Sequence, residues 1–525
     1  MIAAVWWWIS TPVGLSRAPI DPARKLECVS YAPFRGVQSP LDPSVRITVE
    51  QIRDDLAQLA KITDCVRIYS VDSGLELIPG LAQKAGLKVI LGIWLSSDRI
   101  KTRQQIQTGI ALAKQYPGVI SSVVVGNEVL LRGEMTAADL AATIRLVKAQ
   151  IPASMAVTYA DVWEFWLRNR DVYEAVDFVT IHILPYWEDF PVRARNAAAH
   201  VDSIRKRMGV AFPAKEILIG ETGWPSTGRM REGALPSRAN QARVVAEILD
   251  LAKREGFRVN LIEAYDQPWK RQLEGTVGGY WGLFSDTPRE LKYPAGQPVS
   301  NYPDWKLFMA AGFVLSIAVF AVALMTVRRR PWQPRSSAWI AVFVSATSGG
   351  ALLGVAFEKF LYESLGYGGW VQNGTLLAVA VLSPLLATYA LMAGRALPTF
   401  VELIGPRGER RTAWACYALG IVLAIVAMIA ASTALGFVFD PRYRDFKFAS
   451  LTMAVLPLVG LMLFNRPKEG LRPIAEATFA GVLAASAVFV AINEGPKNWQ
   501  SLWTCAMYLL LGFTLWQARA AQSRE

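Results

Sequence analysis

The chain has 525 residues, a formal net charge of +12 and 53% hydrophobic residues, so it is longer than one ordinary domain. Its basic excess lies mainly in residues 301–525, which hold 19 Lys and Arg against 11 Asp and Glu. The first 300 residues contain no basic stripe with interleaved aromatics, which argues against nucleic-acid binding. Neither a CxxC pair nor a Cys/His cluster with metal-ligand spacing occurs, so we expect no metal and no cofactor.

The chain begins with an apolar run of about 15 residues that contains three consecutive tryptophans. This run is short for a membrane span and has no basic segment ahead of it, unlike a secretory signal. We interpret residues 1–21 as a short N-terminal anchor whose true start lies upstream. The alternative is an apolar leader that packs on the domain that follows.

Residues 22–306 alternate short apolar runs with amphipathic stretches long enough for helices. In chain order, the eight runs are CVSYAPF, CVRIYS, KVILGIWL, ISSVVVGNE, MAVTYAD, FVTIHILPYW, EILIGETGWP and VNLIEAYDQPW. Eight strand-like runs over this length predict an α/β fold, a (β/α)8 TIM barrel.

Two of these runs close on a glutamate: Glu128 ends the fourth and Glu221 the seventh. Because the carboxyl ends of barrel strands form the active-site face, both carboxylates are placed for chemistry. Paired carboxylates are typical of glycoside hydrolysis, in which one group protonates the leaving oxygen and the other attacks or activates water. Either glutamate alone would more often be a helix cap or a loop residue. Aromatics that could stack on sugar rings cluster at the predicted strand ends, among them Trp94 and Trp163.

Cys28 and Cys65 open the first two predicted strands at matching positions. In an oxidising compartment they could form a disulfide, and two small buried thiols are an equally weighted alternative. Cys416 and Cys505 fall within apolar spans and are expected to pack there.

Residues 307–525 carry repeated apolar blocks of bilayer-spanning length, and we predict an all-α transmembrane domain of about seven helices. With the preceding domain outside the cytoplasm, the inside loops hold 13 Lys and Arg and the outside connections hold six. The positive-inside rule then predicts an extracytoplasmic barrel and a cytoplasmic C-terminus. This arrangement fits a multi-pass protein of a bacterial inner membrane, with its barrel in the periplasm and with lipid as a partner.

Four motifs resemble glycoside hydrolase family 17, a family of β-1,3-glucanases and glucan transglycosylases: VRIYS, GNEV, ETGWPS and EAYDQPWK followed by GYWGLF. The resemblance covers roughly residues 26–300. The fusion of such a domain to a multi-span region resembles the bacterial membrane-bound NdvC-like β-(1,6)-glucan synthases.

The resemblance implies a retaining mechanism with Glu128 as general acid/base and Glu221 as nucleophile. Retention requires carboxyl groups about 5 to 5.5 Å apart and a raised pKa for Glu128. Asn127 would hydrogen-bond the sugar, and Tyr186 would orient the nucleophile. Further residues that we expect to bind substrate are Tyr31, Arg67, Tyr159, His182, Trp187, Trp224, Glu263, Trp269, Lys270 and Trp281.

Some of these roles have alternatives. Glu263 and Lys270 would either bind substrate or hold Glu128 in place. Arg67 would be either a buried partner of a catalytic carboxylate or a structural salt bridge. His182 would line the cleft or satisfy a strand-end hydrogen bond, and His200 is expected at the surface.

Three function classes remain open: a β-1,3-glucan hydrolase, a transglycosylase that elongates or branches β-1,3/β-1,6-glucan, and a non-catalytic glucan-binding membrane protein. The presence of both glutamates argues against the third class. The membrane domain favours transfer, because an enzyme that modifies glucan beside a membrane glucan synthase gains local concentration. The expected partners are therefore a β-glucan, membrane lipid and such a synthase.

Overall fold

The computed structural model describes residues 1–15, 20, 25–293, 298–329, 335–404, 414–466 and 470–520. The chain divides into two compact units. The barrel unit comprises Pro12–Thr227 and Gly233–Val299. The helical unit comprises Met1–Thr11, Gly228–Glu232 and Ser300–Glu525.

The barrel unit contains a closed barrel of eight parallel strands that pair in sequence order, with β1 also paired to β8. The predicted TIM barrel is confirmed. Its strands are β1 Cys28–Ser30, β2 Cys65–Arg67, β3 Lys88–Ile93, β4 Ile120–Asn127, β5 Ala156–Val162, β6 Val179–His182, β7 Ile217–Thr222 and β8 Arg258–Leu261. Most strand residues are buried, as expected for parallel strands that are covered on both faces.

Helices alternate with these strands and continue through the second half of the chain. In chain order they are α1 Ile2–Ser10, α2 Val49–Leu59, α3 Ile78–Ala85, α4 Arg99–Gln115, α5 Ala137–Lys148, α6 Trp163–Arg168, α7 Ala194–Ala211, α8 Arg238–Glu255, α9 Arg271–Gly278, α10 Trp305–Arg328, α11 Ser336–Glu363, α12 Gly366–Met392, α13 Phe400–Ile404, α14 Trp414–Phe439, α15 Phe448–Phe464, α16 Ile474–Glu494 and α17 Trp499–Trp516.

The outer helices of the barrel begin at local sequence signals. In α2, the Thr48 side chain accepts a hydrogen bond from the amide of Gln51, and Ile52 and Leu56 are buried on one helix face. This N-cap satisfies a backbone donor that would otherwise lack a partner, and the apolar spacing turns one stripe to the barrel core.

Cys28 and Cys65 are joined in a disulfide between β1 and β2. Both residues are buried in a small apolar cluster that also contains Ile90, Val124 and Phe178. Cys28 and Cys65 are the first residues of their strands, whereas the glutamates lie at the carboxyl ends of theirs. The disulfide therefore belongs to the stability face of the barrel rather than to its active-site face.

Seven helices of the helical unit lie in the apolar blocks for which the sequence predicts about seven spans. They are α10, α11, α12, α14, α15, α16 and α17. Among the described residues, five of them are long and apolar enough to cross a membrane: α10, α11, α12, α14 and α16. The helix α15 is also apolar but has only 17 residues. The N-terminal helix α1 belongs to this unit, where Trp6 is fully buried and its ring centroid lies 5.4 Å from that of Phe308.

Replacement of both Cys28 and Cys65 by Ser should destabilise the barrel by about 3 to 4 kcal/mol, because their disulfide closes a loop of 37 residues in the unfolded chain. Calorimetry of the full chain in detergent should show the barrel transition at a lower temperature. The matched control replaces Cys416 and Cys505, the free buried cysteines of the helical unit, by Ser. Equal transitions in the wild-type and Cys28/Cys65 proteins would contradict the prediction.

Candidate active site

Five of the predicted site residues meet at the carboxyl ends of four strands. Arg67, Asn127 and His182 are the last residues of β2, β4 and β6. Glu128 directly follows β4, and Glu221 is the penultimate residue of β7. In a closed parallel barrel these ends share one face, so side chains that are far apart in sequence come together.

Glu221 is buried and is held by contacts to one of its carboxylate oxygens. The Tyr69 hydroxyl donates to Glu221 Oε1 at 2.8 Å, and Arg67 Nη1 lies 3.4 Å from the same oxygen. His182 Nε2 lies 3.5 Å from it. All three of these contacts, made by described residues, are to Oε1.

Glu128 is the more open carboxylate, with 24% of its side chain exposed against 7% for Glu221. Its Oε1 lies 2.8 Å from His182 Nδ1. Its backbone has a φ of +53°, a left-handed conformation that is uncommon for a residue with a side chain. Because its amide donates to the Ala160 carbonyl at 2.8 Å, this turn out of β4 is fixed in place.

The pKa of Glu128 is lowered rather than raised, contrary to the sequence-based expectation. Burial raises the pKa of this carboxyl, but the hydrogen bond with His182 and the charges of His182, Arg132 and Arg67 together outweigh burial. His182 is 54 positions away from Glu128 in sequence, so its direct contact with this carboxylate could not be predicted from the sequence.

Glu128, His182 and Glu221 each offer a ligand atom, and these three atoms lie within 4.8 Å of one another. One oxygen of Glu128 thus lies within 4.8 Å of an oxygen of Glu221, which is compatible with the closely spaced carboxyl groups of retaining enzymes. The same three atoms could hold a metal ion. However, the Arg67 guanidinium lies 3.4 Å from both His182 Nε2 and Glu221 Oε1, and its positive charge opposes a cation there.

Arg67 is fully buried and connects three strands of the site. Its Nη1 donates to the Gly220 carbonyl at 2.6 Å, and its Nη2 donates to Asn127 Oδ1 at 2.5 Å. Since guanidinium has only donors, this contact fixes the Asn127 amide with its oxygen towards Arg67. A Cβ on Gly220 would lie 3.3 Å from both Arg67 Nη1 and His182 Cδ2, so glycine keeps this space open.

Glu263 and Lys270 form a buried ion pair after β8. Lys270 Nζ lies 3.0 and 2.8 Å from the two carboxylate oxygens of Glu263. Burial raises the pKa of Glu263 to about 7 despite this partner. Glu263 is 1% exposed, so it holds Lys270 rather than a substrate directly. Lys270 keeps 17% of its side chain exposed and is the member of the pair that can reach a ligand.

Most of the aromatics that were predicted to bind substrate are buried, which corrects that expectation. Residues that are at most 3% exposed cannot present a ring face to a sugar, and these are Tyr31, Tyr159, Tyr186, Trp224 and Trp281. They support the site from beneath: for example, the Tyr186 ring centroid lies 6.0 Å from that of Trp224. Trp187 and Trp269 are only half-buried and retain accessible ring surface.

Sequence reasoning missed three residues. Tyr69, which contacts Glu221, was visible in the VRIYS motif but was given no role. Asp161 lies near the carboxyl end of β5 and accepts hydrogen bonds from the Tyr159 hydroxyl and from the Val162 amide, the latter at 2.7 Å. Burial raises the pKa of Asp161 to about 6. Glu274 in α9 lies in the electrostatic field of both catalytic carboxylates, and burial raises its pKa.

Asp161 could have been found from the sequence, because it closes the apolar run MAVTYAD in the same way that Glu128 closes ISSVVVGNE. Glu274 had no such signal, since it lies in a helix after the last strand.

Residues 28–282 match the BtgE/BtgC glycoside hydrolase domain. A glucan 1,3-beta-glucosidase of Saccharomyces cerevisiae is 28% identical over 46% of this chain and 82% of that protein. A probable beta-glucosidase btgE of Aspergillus clavatus is 32% identical over 42% of this chain and 39% of that protein. The crystal structure of a glycoside hydrolase family 17 beta-1,3-glucanosyltransferase from Rhizomucor miehei is 25% identical, covering 51% of this chain and 95% of that one with a TM-score of 0.44.

The domain match covers all eight strands and every residue of the carboxylate cluster described above. The barrel is similar to glycoside hydrolase domains, and the protein is an enzyme that acts on glycosidic bonds.

Proposed function

We propose that the barrel catalyses retaining glycosyl transfer on β-1,3-glucan, with Glu221 as nucleophile and Glu128 as general acid/base. The observation that carries this proposal is the approach of the two carboxylates to within 4.8 Å. That distance leaves too little room for the water that an inverting enzyme places between its carboxylates and the sugar. The substrate class is supported by the name of the Saccharomyces cerevisiae relative, a glucan 1,3-beta-glucosidase.

The reaction has two steps with balanced proton movements. In the first, Glu221 Oε2 attacks the anomeric carbon while the glycosidic C–O bond breaks, and protonated Glu128 gives its proton to the leaving oxygen. In the second, Glu128 takes a proton from an acceptor hydroxyl, whose oxygen attacks the same carbon. The ester bond to Glu221 then breaks and restores its carboxylate.

These two steps assign roles to the side chains around the carboxylates. Tyr69 and Arg67 bind Oε1 of Glu221 and thus leave Oε2 for attack. The Asn127 NH2 group binds the hydroxyl beside the anomeric carbon, where hydrogen bonds strengthen in the transition state. Trp187 and Trp269 offer the ring surface on which glucose units stack, and Lys270 binds a hydroxyl near them.

The acceptor decides whether the outcome is hydrolysis or transfer. We favour a sugar acceptor, with β-1,6 as well as β-1,3 linkage of the product, because the part of the chain that the structure describes has five helices long and apolar enough to cross a membrane. A secreted hydrolase gains little from these helices, whereas an enzyme beside a membrane glucan synthase meets nascent chains at high local concentration. Hydrolysis of β-1,3-glucan is the alternative. Non-catalytic glucan binding is disfavoured, because binding alone does not require the paired carboxylates.

Glu221→Gln should lower turnover of laminari-oligosaccharides by roughly 10⁴-fold or more, because no ester can form. Glu128→Gln should lower turnover of the same substrates by about 10² to 10⁴-fold but spare glycosides whose leaving group needs no proton. Initial rates on both substrate types measure these effects, with the exposed Glu50→Gln as control. Near-normal rates in the Glu221→Gln protein would contradict the assignment.

Transfer should appear as products longer than the substrate. The solubilised full chain is incubated with a defined β-1,3-oligosaccharide, and products are followed by size and linkage over a range of concentrations. We expect elongated or β-1,6-branched products whose share rises with substrate concentration, since a bound acceptor competes with water. Shorter fragments alone at every concentration would establish hydrolysis instead.

The barrel is proposed to lie in the periplasm of a bacterial cell, with the C-terminus in the cytoplasm. A reporter that is active only in the cytoplasm should work when it follows Arg329 or is appended to the C-terminus. It should fail when it is inserted between Gly495 and Lys497, in the connection from α16 to α17. The opposite pattern would place the barrel inside the cell.

A further inference from the structure

His182 is the one side chain among the described residues that the structure places in contact with both catalytic carboxylates. Its Nδ1 lies 2.8 Å from Glu128 Oε1, and its Nε2 lies 3.5 Å from Glu221 Oε1. The imidazole is fully buried at the end of β6, and His182 is paired in register with Glu221 on β7. Its position is therefore fixed by the barrel and does not depend on a mobile loop.

The surroundings of the imidazole determine where its proton lies. Nδ1 faces an acceptor, the Glu128 carboxylate. Nε2 faces Glu221 Oε1 but also both Nη atoms of Arg67 at 3.4 Å, and these atoms can only donate. When Glu128 is ionised, the acceptor at Nδ1 and the Arg67 donors at Nε2 favour a ring with its proton on Nδ1, which then donates to Glu128.

A donor at this place acts differently on the two steps of the reaction. A hydrogen bond donated to a carboxylate stabilises the ionised form over the protonated form. The first step needs protonated Glu128, and the second step needs the carboxylate that receives the acceptor's proton.

We propose that His182 is a positioning residue that stabilises the ionised form of Glu128 through Nδ1 and thereby sets the pH range in which this acid/base group holds and accepts its proton. The proposal rests on the retaining function proposed above and assigns the control of its acid/base group. The lowered pKa of Glu128 agrees with it.

Other charged or titratable groups also face this pair, and they come from several elements. They are Arg67 on β2, Arg132 after β4, Tyr159 and Asp161 on β5, Glu221 on β7 and Glu274 on α9. Arg132 and Arg67 favour ionised Glu128, as His182 does, whereas the carboxylates oppose it. A test must therefore change His182 while leaving all of these groups in place.

Three variants separate the donor from the ring. His182→Leu removes the donor at similar volume. His182→Asn keeps an NH2 group near the place of Nδ1, and His182→Gln moves it towards the place of Nε2. The matched control is His200→Asn. His200 is the other histidine of the chain, and its Nε2 lies 3.0 Å from Glu188 Oε1.

Two substrates report on the two steps. With a laminari-oligosaccharide, the alkaline limb of kcat/KM reports the loss of the Glu128 proton in the free enzyme. With an aryl β-glucoside that has a good leaving group, the first step needs no acid, so kcat reports the second step and its acidic limb reports the formation of the carboxylate. The kcat/KM of the aryl glucoside reports attack by Glu221 alone.

We expect both limbs to move up by about one pH unit or more in His182→Leu and His182→Gln, relative to the wild-type enzyme. His182→Asn and His200→Asn should keep the wild-type limbs. Unmoved limbs in both His182→Leu and His182→Gln, or an equal loss of all three parameters at every pH, would overturn the proposal. If His182→Leu does not fold, the contrast between His182→Asn and His182→Gln decides.

The same data separate this inference from the proposed function. Turnover of neither substrate by the wild-type enzyme would remove the proposed function and this inference with it. A wild-type enzyme that is active on both, with limbs unmoved in the variants, would remove this inference alone.

Discussion

The buried guanidinium of Arg67 is the group on which the arrangement of the active site depends. It is 1% exposed, and it donates to the Gly220 carbonyl of β7 and to the Asn127 side chain of β4 while it lies beside Glu221. A buried charge is costly unless it is paired and hydrogen-bonded, so the strand ends must stay where they satisfy it. The same contacts orient the Glu221 carboxylate and the Asn127 amide. Arg67 therefore forms a buried ion pair with Glu221, and in the proposed mechanism this ion pair also positions the nucleophile.

The barrel could be predicted from sequence because its signal is repeated eight times and depends on local patterns of apolar residues. The positions of Glu128 and Glu221 followed from the same signal, since a polar residue that closes a buried strand must lie at the open face. What the sequence did not show was how deeply each aromatic side chain is buried. Trp224 and Trp281 follow strand ends as Trp187 does, yet they are buried and Trp187 is only partly so. The burial of a ring depends on which loop folds over it, and no local sequence pattern indicates that.

The direction of the Glu128 pKa shift could not be predicted from the sequence either, for a related reason. Its nearest partner, His182, is 54 positions away in sequence and reaches it only because β4 and β6 open onto the same face. The sequence offered two roles for this histidine, a cleft residue and a strand-end hydrogen bond. In the folded protein its hydrogen bond is made to the acid/base group itself, so the two roles coincide. The pairing of carboxylate with imidazole turns an expected raised pKa into a lowered one.

The central claim is that Glu221 carries the sugar as an ester between the two steps. The most direct measurement uses a 2-fluoro glucosyl fluoride, which forms this ester quickly and releases it slowly because fluorine destabilises the second transition state. After incubation with the full chain, digestion and mass spectrometry locate the modified peptide. We expect one added fluoroglucosyl group, on Glu221, and none in the Glu221→Gln protein. An ester on Glu128, or on any other carboxylate, would contradict it.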